Sequence, residues 1–404
     1  MRNRVVFVRI ILAILSFASA VTLSGCGSLI ASTDLHGSRH RLNDAVTVTT
    51  EEQLLLALVQ TRFVHNPGFL DVSVINTQLN WSAGIGGSYS TNPSTGSVSP
   101  SIDYSESPTI TYTPLQGQEF VRRMMVPVSL ETLAMLMETG WSSDAVLRLV
   151  VQRINDIPNG FDGSIADLEI APEYRTFNRV ARLFDRLIGH GVVFLTKVPD
   201  NHYPIESWDW NNPANLKHGE ILKNTWEASD NPIMLNVRRE LRKKGDSESD
   251  LTELLDLLDI PLSNLKPRNK FNPRFDSIIL QNAMRPAFEG DIWLHTRSMQ
   301  EILYALSWAV QVPADAKQRG EVSVVKDGDG RPFEWNKMFK GLLTIHWSPS
   351  EPGDAAIAVP YQGNWYYVRR NDVPSKRTFV LLGQLTKMLS GLGSGVAPAL
   401  TLPL

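Results

Sequence analysis

The spacing of apolar residues along the chain predicts a series of helices interrupted by short strands. Apolar residues recur at three- and four-residue steps in EYRTFNRVARLFDRLIGHG, residues 173–191, as they do in a helix with one buried face. Ser298 and Glu301 form a capping-box pattern before ILYALSWAV and predict another helix there. Apolar runs at 192–198 and 233–237 predict strands, and AAIAVPYQGNWYYVRR predicts a hairpin around Gln362 and Gly363.

The segment 49–113 is predicted to form one helix followed by a long β-hairpin. The residues TTEE at 49–52 are a capping-box pattern before LLLALVQTRFV, so we expect a helix near 51–64. From residue 70 onward apolar and polar residues alternate as in strands. The Ser/Gly/Pro-rich stretch SYSTNPSTGSVSPS, residues 88–101, is expected to form the turn region between the two strands.

The alternation also predicts which residues share a face of this hairpin. Apolar residues occupy odd positions in the first strand and even positions in the second. We expect an antiparallel pairing that sets Trp81 opposite Tyr112 and Tyr89 opposite Tyr104, because apolar positions then meet. The two aromatic pairs would lie about 26 Å apart at ~3.3 Å per residue, close to the apolar band of an outer-membrane barrel, about 25 Å tall.

The beginning of the chain has the order of a secretory signal. Three arginines precede an apolar run at 10–21, which is shorter than the roughly 20 residues that a membrane-spanning helix needs. LSGC follows at 23–26 and contains the only cysteine of the chain. This pattern resembles the lipobox of a bacterial lipoprotein signal. The resemblance implies a diacylglyceryl group on Cys26, cleavage before Cys26 and, since Gly27 follows, sorting to the outer membrane.

The predicted elements give an α+β fold, because the helices are neither gathered into a bundle nor alternated regularly with strands. We expect an N-terminal helix and a long β-hairpin, followed by a mixed helix and strand body. The predicted parts are a lipoprotein signal peptide at 1–25, a membrane tether at 26–48, the helix plus β-hairpin at 49–113 and the α+β body at 114–404.

The net charge of the chain argues against nucleic acid as a partner. Removal of residues 1–25 takes away three of the 39 basic residues and none of the 42 acidic ones, so the formal net charge moves from −3 to −6. A mildly acidic surface argues against nucleic-acid binding, which requires a basic face. With Cys26 lipidated no disulfide can form, so stability must come from packing.

Three segments near the end of the chain carry a second resemblance. DIWLHTRSMQEILYAL, GNWYYVRRNDVPSKRTFVLLGQL and APALTLPL resemble segments of an uncharacterised group of bacterial envelope proteins. The resemblance implies an envelope location and brings no activity with it.

The motifs of common enzyme and cofactor sites are missing from the sequence. The eight histidines form no HExxH or HxH pattern, and His36 and His40 are spaced for one helical face but lie in the predicted tether. No nucleophile elbow, phosphate-binding loop or dinucleotide fingerprint occurs. We therefore expect no metal and no cofactor.

Two acidic clusters are the candidates for chemistry. The first consists of Asp162, Asp167 and Glu169. The second is the better candidate and combines Asp200, His202, Glu206 and Asp209 with the aromatic residues Trp208 and Trp210. A carboxylate pair beside aromatic rings that stack on sugars would suit glycan hydrolysis. The two tryptophans can equally serve as hydrophobic anchors of their loop.

Three functional hypotheses follow. The first is a non-enzymatic, lipid-anchored envelope protein that scaffolds or assists an outer-membrane assembly, export or transport system, with the membrane and an envelope protein as partners. The second is an envelope enzyme or binding protein that acts on glycan through the loop 200–210. The third is an oligomeric lipoprotein in which each subunit contributes its hairpin to an outer-membrane barrel. Otherwise the hairpin lays its apolar face on the body or on a partner.

Overall fold

The chain divides into two compact units, residues 1–52 and residues 53–404. The structure, a computed structural model, describes residues 27–91, 94–114, 118–162, 169–170, 173–197, 233–267, 274–282, 291–327 and 329–391.

The first helix, α1, runs without interruption over Gly27–Arg62. The prediction that it begins near residue 51 is therefore wrong, and the predicted tether at 26–48 is helical from Gly27. The hydroxyls of Thr49 and Thr50 donate to backbone carbonyls one turn earlier, at 2.8 and 2.7 Å, instead of capping a new helix. Residues 43–49 are exposed or half-exposed, and a helix solvated all round has no apolar periodicity by which to recognise it.

Two long strands, β1 (Leu70–Thr91) and β2 (Ser94–Pro114), form an antiparallel pair that we call the β-ribbon. Trp81 lies opposite Tyr104, so the predicted register, with Trp81 opposite Tyr112, is wrong by eight residues. From Val74 onward both registers pair odd positions with even ones, so residues in this part lie on the predicted faces. The strands continue through most of the Ser/Gly/Pro-rich stretch, so the predicted turn region is mostly strand.

The register of the β-ribbon shifts once, at Ser73. Val72 lies opposite Tyr112 and Val74 lies opposite Thr111, so Ser73 is an extra residue in β1. Because of this bulge Val72 occupies the same face as Tyr112. Without it, Val72 would fall on the other face of the ribbon.

Several helices after the β-ribbon begin at side-chain caps. Ser129 and Ser142 cap the second and third helices after the ribbon, and Ser298 with Glu301 forms the predicted capping box. The described helices after the ribbon are α2 (Gln118–Met125), α3 (Leu130–Glu138), α4 (Ser143–Val150), α5 (Tyr174–Gly189), α6 (Arg239–Arg242), α7 (Ser247–Leu257), α8 (Met299–Ser307), α9 (Ala314–Gln318), α10 (Trp335–Met338) and α11 (Val373–Gly391).

The remaining strands form three sheets. They are β3 (Val151–Ile154), β4 (Ile157–Pro158), β5 (Phe161–Asp162), β6 (Glu169–Ile170), β7 (Val193–Lys197), β8 (Ile233–Arg238), β9 (Phe275–Asn282), β10 (Ile292–Thr296), β11 (His346–Ser348), β12 (Ala355–Tyr361) and β13 (Asn364–Arg369). A six-stranded sheet has the order β4-β3-β10-β9-β8-β7 and is antiparallel except between β9 and β10. A second sheet has the order β11-β13-β12, and β5 pairs with β6. Gln362 and Gly363 turn the predicted hairpin with φ of 47° and 77°, as a two-residue hairpin turn requires.

One hydrophobic core joins these elements, and we call residues 118–391 the body. The predicted apolar stripe of α5 is buried, with Phe177 and Phe184 among its members. Helix α5 packs between α4 and α7, and α3 packs against β7. Arg179 ties α5 to Glu253 of α7 through two bonds of 2.6 and 2.5 Å. The fold is α+β, with the helix, the β-hairpin and the mixed body in the predicted order.

Candidate functional site

The strongest sequence candidates lie outside the described residues. These are the lipidation site Cys26, the acidic residues Asp200, Glu206 and Asp209 and the aromatic residues Trp208 and Trp210. The lipid anchor and the glycan site both stay predictions.

The first acidic cluster is described only at its edges. Asp162 in β5 lies opposite Glu169 in β6, so the backbone brings these two positions together, while Asp167 lies outside the described residues. His36 and His40 both lie in α1. Within the part of the chain that the structure describes, no group of three or more His, Cys, Asp or Glu side chains could hold a metal ion.

An acidic depression lies on the outer face of α7. Gly245, Glu248, Thr252, Glu253 and Asp256 line it. All lining residues come from one helix and the turn before it, so the depression is open and does not enclose a small molecule as a ligand pocket does. The bond from Arg179 lowers the pKa of the Glu253 carboxyl.

A buried guanidinium holds the end of α4. The side chain of Arg297, 4% exposed, donates to the carbonyls of Arg148 and Leu149 at 3.1 and 3.2 Å and to that of Asn159 at 2.8 Å. The backbone N–H of Arg297 donates to Val150 at 2.6 Å. Burial lowers the pKa of Arg297 to about 10. A cation at the C-terminal end of a helix is favourable and satisfies carbonyls that lack intrahelical partners, so this arrangement is structural.

A second buried guanidinium belongs to an aromatic cluster. Arg62 lies 4.3 Å from the ring centroid of Trp308 and donates to the Ser323 carbonyl at 3.0 Å. Trp308 stacks on Trp335 at 4.5 Å, and Phe333 meets Trp335 edge-on at 4.9 Å. Burial lowers the pKa of Arg62 to about 10. Cation–π contact and packing account for this cluster without a ligand.

The β-ribbon is a two-stranded sheet whose outer edges gain no further strand from the part of the chain that the structure describes. β1 and β2 hydrogen-bond to each other along 22 and 21 residues, and within the described residues neither strand has another ladder partner. No other described element packs extensively against either strand. A strand of 22 residues extends about 70 Å at ~3.3 Å per residue. The ribbon thus has two long free edges, and an isolated pair of strands is marginally stable in water.

The two faces of the β-ribbon differ in composition. One face holds the positions of Ile75, Thr77, Leu79, Trp81, Ala83, Ile85, Gly87 and Tyr89 together with those of Gly96, Val98, Pro100, Ile102, Tyr104, Glu106, Pro108 and Ile110. We call this the apolar face. The opposite face is made almost entirely of Ser, Thr, Asn, Gln and Gly positions. Such strict alternation indicates that one face meets an apolar environment and the other meets water.

Exposed apolar side chains lie close in sequence to the residues at which the β-ribbon begins and ends. Val64, six residues before β1, is 75% exposed, and Met125 of α2 is 57% exposed, with Val121 and Val126 beside it in sequence. The sequence FVRRMMV at 120–126 places apolar residues on more than one side of α2, and this pattern is the sequence signal for the exposed side chains. Large exposed apolar side chains close to one structural feature indicate an interaction surface.

The backbone at Val64 is strained. Its φ of 59° lies in the left-handed region, where glycine normally ends a helix. The His65 N–H donates to the Gln60 carbonyl at 2.8 Å, which closes the end of α1 as a Schellman motif does. His65 Nδ1 in turn contacts the Tyr361 hydroxyl.

Behind this helix end lies a fully buried tyrosine. Tyr366 is 0% exposed, and within the described residues its hydroxyl has no hydrogen-bond partner. Burial, together with the smaller effects of the neighbouring Tyr361, Asp315 and Glu321, raises the pKa of Tyr366 to about 12. Phe63 packs edge-on against its ring at 6.1 Å.

Comparison of the chain with protein-family models, with curated proteins and with solved structures finds no match. In the described ranges no helix is both long enough and apolar enough to cross a membrane.

Proposed function

We propose that the chain is a lipid-anchored protein of the bacterial outer membrane that works by assembly with another polypeptide and not by catalysis. The observation that carries this proposal is the β-ribbon, whose two edges have no partner strand within the described residues over more than 20 residues each. Free edges of this length pair readily with a strand of another chain. The body supplies a folded support, and the lipid on Cys26 supplies the membrane attachment.

The charges of the β-ribbon support the same proposal. Native sheets commonly protect a free edge with lysine, yet the two strands contain no lysine or arginine and only three acidic residues, Asp71, Asp103 and Glu106. An edge without such protection favours pairing. The prolines at 100 and 108 have no N–H, so β2 offers fewer donors than β1.

The test of assembly shortens the β-ribbon and leaves the body intact. Residues 82–103 are replaced by Asn-Gly, so that Trp81 and Tyr104, which already face each other, are joined by a two-residue hairpin turn. We expect the native chain to migrate in a complex larger than a monomer when membranes are solubilised in mild detergent. The shortened chain should migrate as a monomer and retain the thermal unfolding of the body. A native chain that is monomeric in membranes, or a shortened chain in the same complex, contradicts the proposal.

The anchor is tested separately by Cys26→Ala. We expect this substitution to abolish metabolic labelling with palmitate, because the chain has no other thiol to receive the lipid. The precursor should then stay uncleaved or be released as soluble protein. Equal palmitate labelling of the native chain and the variant would contradict the lipoprotein assignment.

A further inference from the structure

The observed register places an uncharged segment in the outer half of the β-ribbon. On the apolar face, every position from the Trp81–Tyr104 pair to the Tyr89–Gly96 pair is uncharged. The one charged residue of this face, Glu106, lies opposite Leu79 and therefore outside the segment. We call the part of the ribbon between these two pairs the outer segment.

The length of the outer segment matches a membrane. The stretch from Trp81 to Tyr89 contains nine residues and extends about 26 Å along the strand, and a membrane strand tilted by about 45° needs about 9 to 11 residues. The apolar band of an outer-membrane sheet is about 25 Å tall and is bordered by aromatic residues. Here Trp81 and Tyr104 border one end, and Tyr89 borders the other.

The opposite face of the outer segment consists of small and polar residues that can be solvated. Its positions are Ser82, Gly84, Gly86, Ser88 and Ser90 in β1, and Thr95, Ser97, Ser99, Ser101 and Asp103 in β2. A sheet with hydrocarbon on one face and water on the other is stable in a membrane only if its edges are closed, because an unpaired backbone N–H or C=O in hydrocarbon costs several kcal/mol. Two strands from one chain cannot close on themselves, so other strands must complete the sheet.

We propose that several copies of this chain join their β-ribbons edge to edge into one closed sheet, with the apolar face of the outer segment against lipid and the polar face inside. This inference rests on the proposed function and names its partner as further copies of the same chain. The smallest membrane sheets of this kind have about eight strands, so at least about four copies are required.

Lipid contact is tested with single thiols in the full, lipidated chain. Because the lipid blocks Cys26, a thiol-reactive NBD dye labels only the engineered cysteine. We compare Ile85→Cys on the apolar face with Ser88→Cys on the polar face of the same segment, and with Leu79→Cys on the apolar face outside it. The proteins are reconstituted into phosphatidylethanolamine–phosphatidylglycerol vesicles that contain doxyl-labelled lipid.

We expect doxyl lipid to quench the dye at position 85 several-fold more than at positions 88 and 79. Equal quenching at 85 and 88, or none at either, overturns the proposal. Strong quenching at 79 as well as 85 overturns the assigned span of the outer segment. Labelling of the native chain with the dye would show that Cys26 is free, which is a failure of the anchor and not of the ribbon.

Subunit joining is tested with matched charge substitutions. Ile85→Asp places a charge in the proposed lipid layer, whereas Ser88→Asp places the same charge in the proposed aqueous interior. We expect the native chain and Ser88→Asp to give one discrete oligomer of at least about four copies in detergent, and Ile85→Asp to give monomers. Mass photometry reads the copy number directly. A complex that is lost on shortening the ribbon but contains a single copy of this chain leaves the proposed function standing and overturns this inference.

Discussion

The body and the β-ribbon differ in how their apolar side chains and unpaired backbone groups are covered. In the body, apolar side chains such as Phe177 and Tyr366 are covered by other parts of the same chain, and the end of α4 is satisfied by Arg297. In the ribbon, the apolar positions and both edges have no such cover from the described elements. The comparison teaches that body stability is a property of one chain, whereas ribbon stability depends on what surrounds it. Four predictions test this difference between the stability of the body and that of the ribbon.

The largest expected effect is a cavity in the core, set against the same loss in the ribbon. Phe177→Ala removes a fully buried ring from α5 and should lower the free energy of unfolding of the body by about 4 kcal/mol. Ile85→Ala removes a large side chain from the ribbon and should leave the unfolding of the body unchanged. Urea unfolding in detergent, followed by tryptophan fluorescence, measures both. A similar loss in the two variants would show that the body covers the ribbon.

The next effect concerns the buried guanidinium. Arg297→Met keeps most of the side-chain volume but removes three bonds to carbonyls around the end of α4, and we expect a loss of about 3 kcal/mol. Arg179→Met is the control, since both side chains of its ion pair with Glu253 at 2.5 Å are 39% exposed and the pair should contribute no more than about 1 kcal/mol. Equal losses in the two variants would contradict the role assigned to Arg297.

A smaller effect, of opposite sign, is expected at the junction of helix and ribbon. Val64→Gly relieves the left-handed backbone and loses little packing, because Val64 is largely exposed, so the free energy of unfolding should rise by about 1 kcal/mol. Val64→Ala keeps the strain and should change little. If Val64 contacts a neighbouring subunit, the glycine variant should also weaken the oligomer. A glycine variant less stable than the alanine variant would contradict the strain.

The smallest effect at neutral pH is expected for Tyr366→Phe. Its hydroxyl lacks a hydrogen-bond partner within the described residues, so its removal should change the free energy of unfolding by less than about 1 kcal/mol. The raised pKa of about 12 means that the folded chain keeps a proton that the unfolded chain releases near pH 10. Folding stability therefore falls as the pH rises from about 10 to about 12, and the phenylalanine variant should lose less stability over this range. Equal alkaline losses in the two proteins would show that Tyr366 is not the group responsible.

Local patterns predict the body better than the ribbon. The capping box at Ser298, the stripe of α5 and the turn at Gln362 and Gly363 are local features, and each appears where the sequence places it. The register of the ribbon is different, because a shift of eight residues returns every residue to the same face. Apolar alternation cannot distinguish such registers, and the length of the connection between the strands decides instead.

The candidate site was only partly accessible to sequence reasoning for a related reason. The alternation of the ribbon identified its apolar face, yet the uncharged outer segment appears only when Trp81 is set against Tyr104 and Glu106 moves outside it. Arg62 and Arg297 carry no recognisable motif, since their partners are an aromatic ring and backbone carbonyls from distant parts of the chain. The left-handed backbone at Val64 could not be predicted, because the residue there is not the glycine that usually indicates such a conformation.

The single extra residue at Ser73 controls the phase of the entire ribbon. If Ser73 were paired in an unbroken strand, every residue of β1 after it would lie on the opposite face from the one it now occupies relative to Val72. Deletion of Ser73 would remove the bulge but leave Val72 and Val74 on opposite faces, so the outer segment would keep its faces, whereas one residue inserted into β2 opposite Ser73 would exchange them. For the same reason, viable changes in ribbon length should come in steps of two residues per strand, about 7 Å at a time.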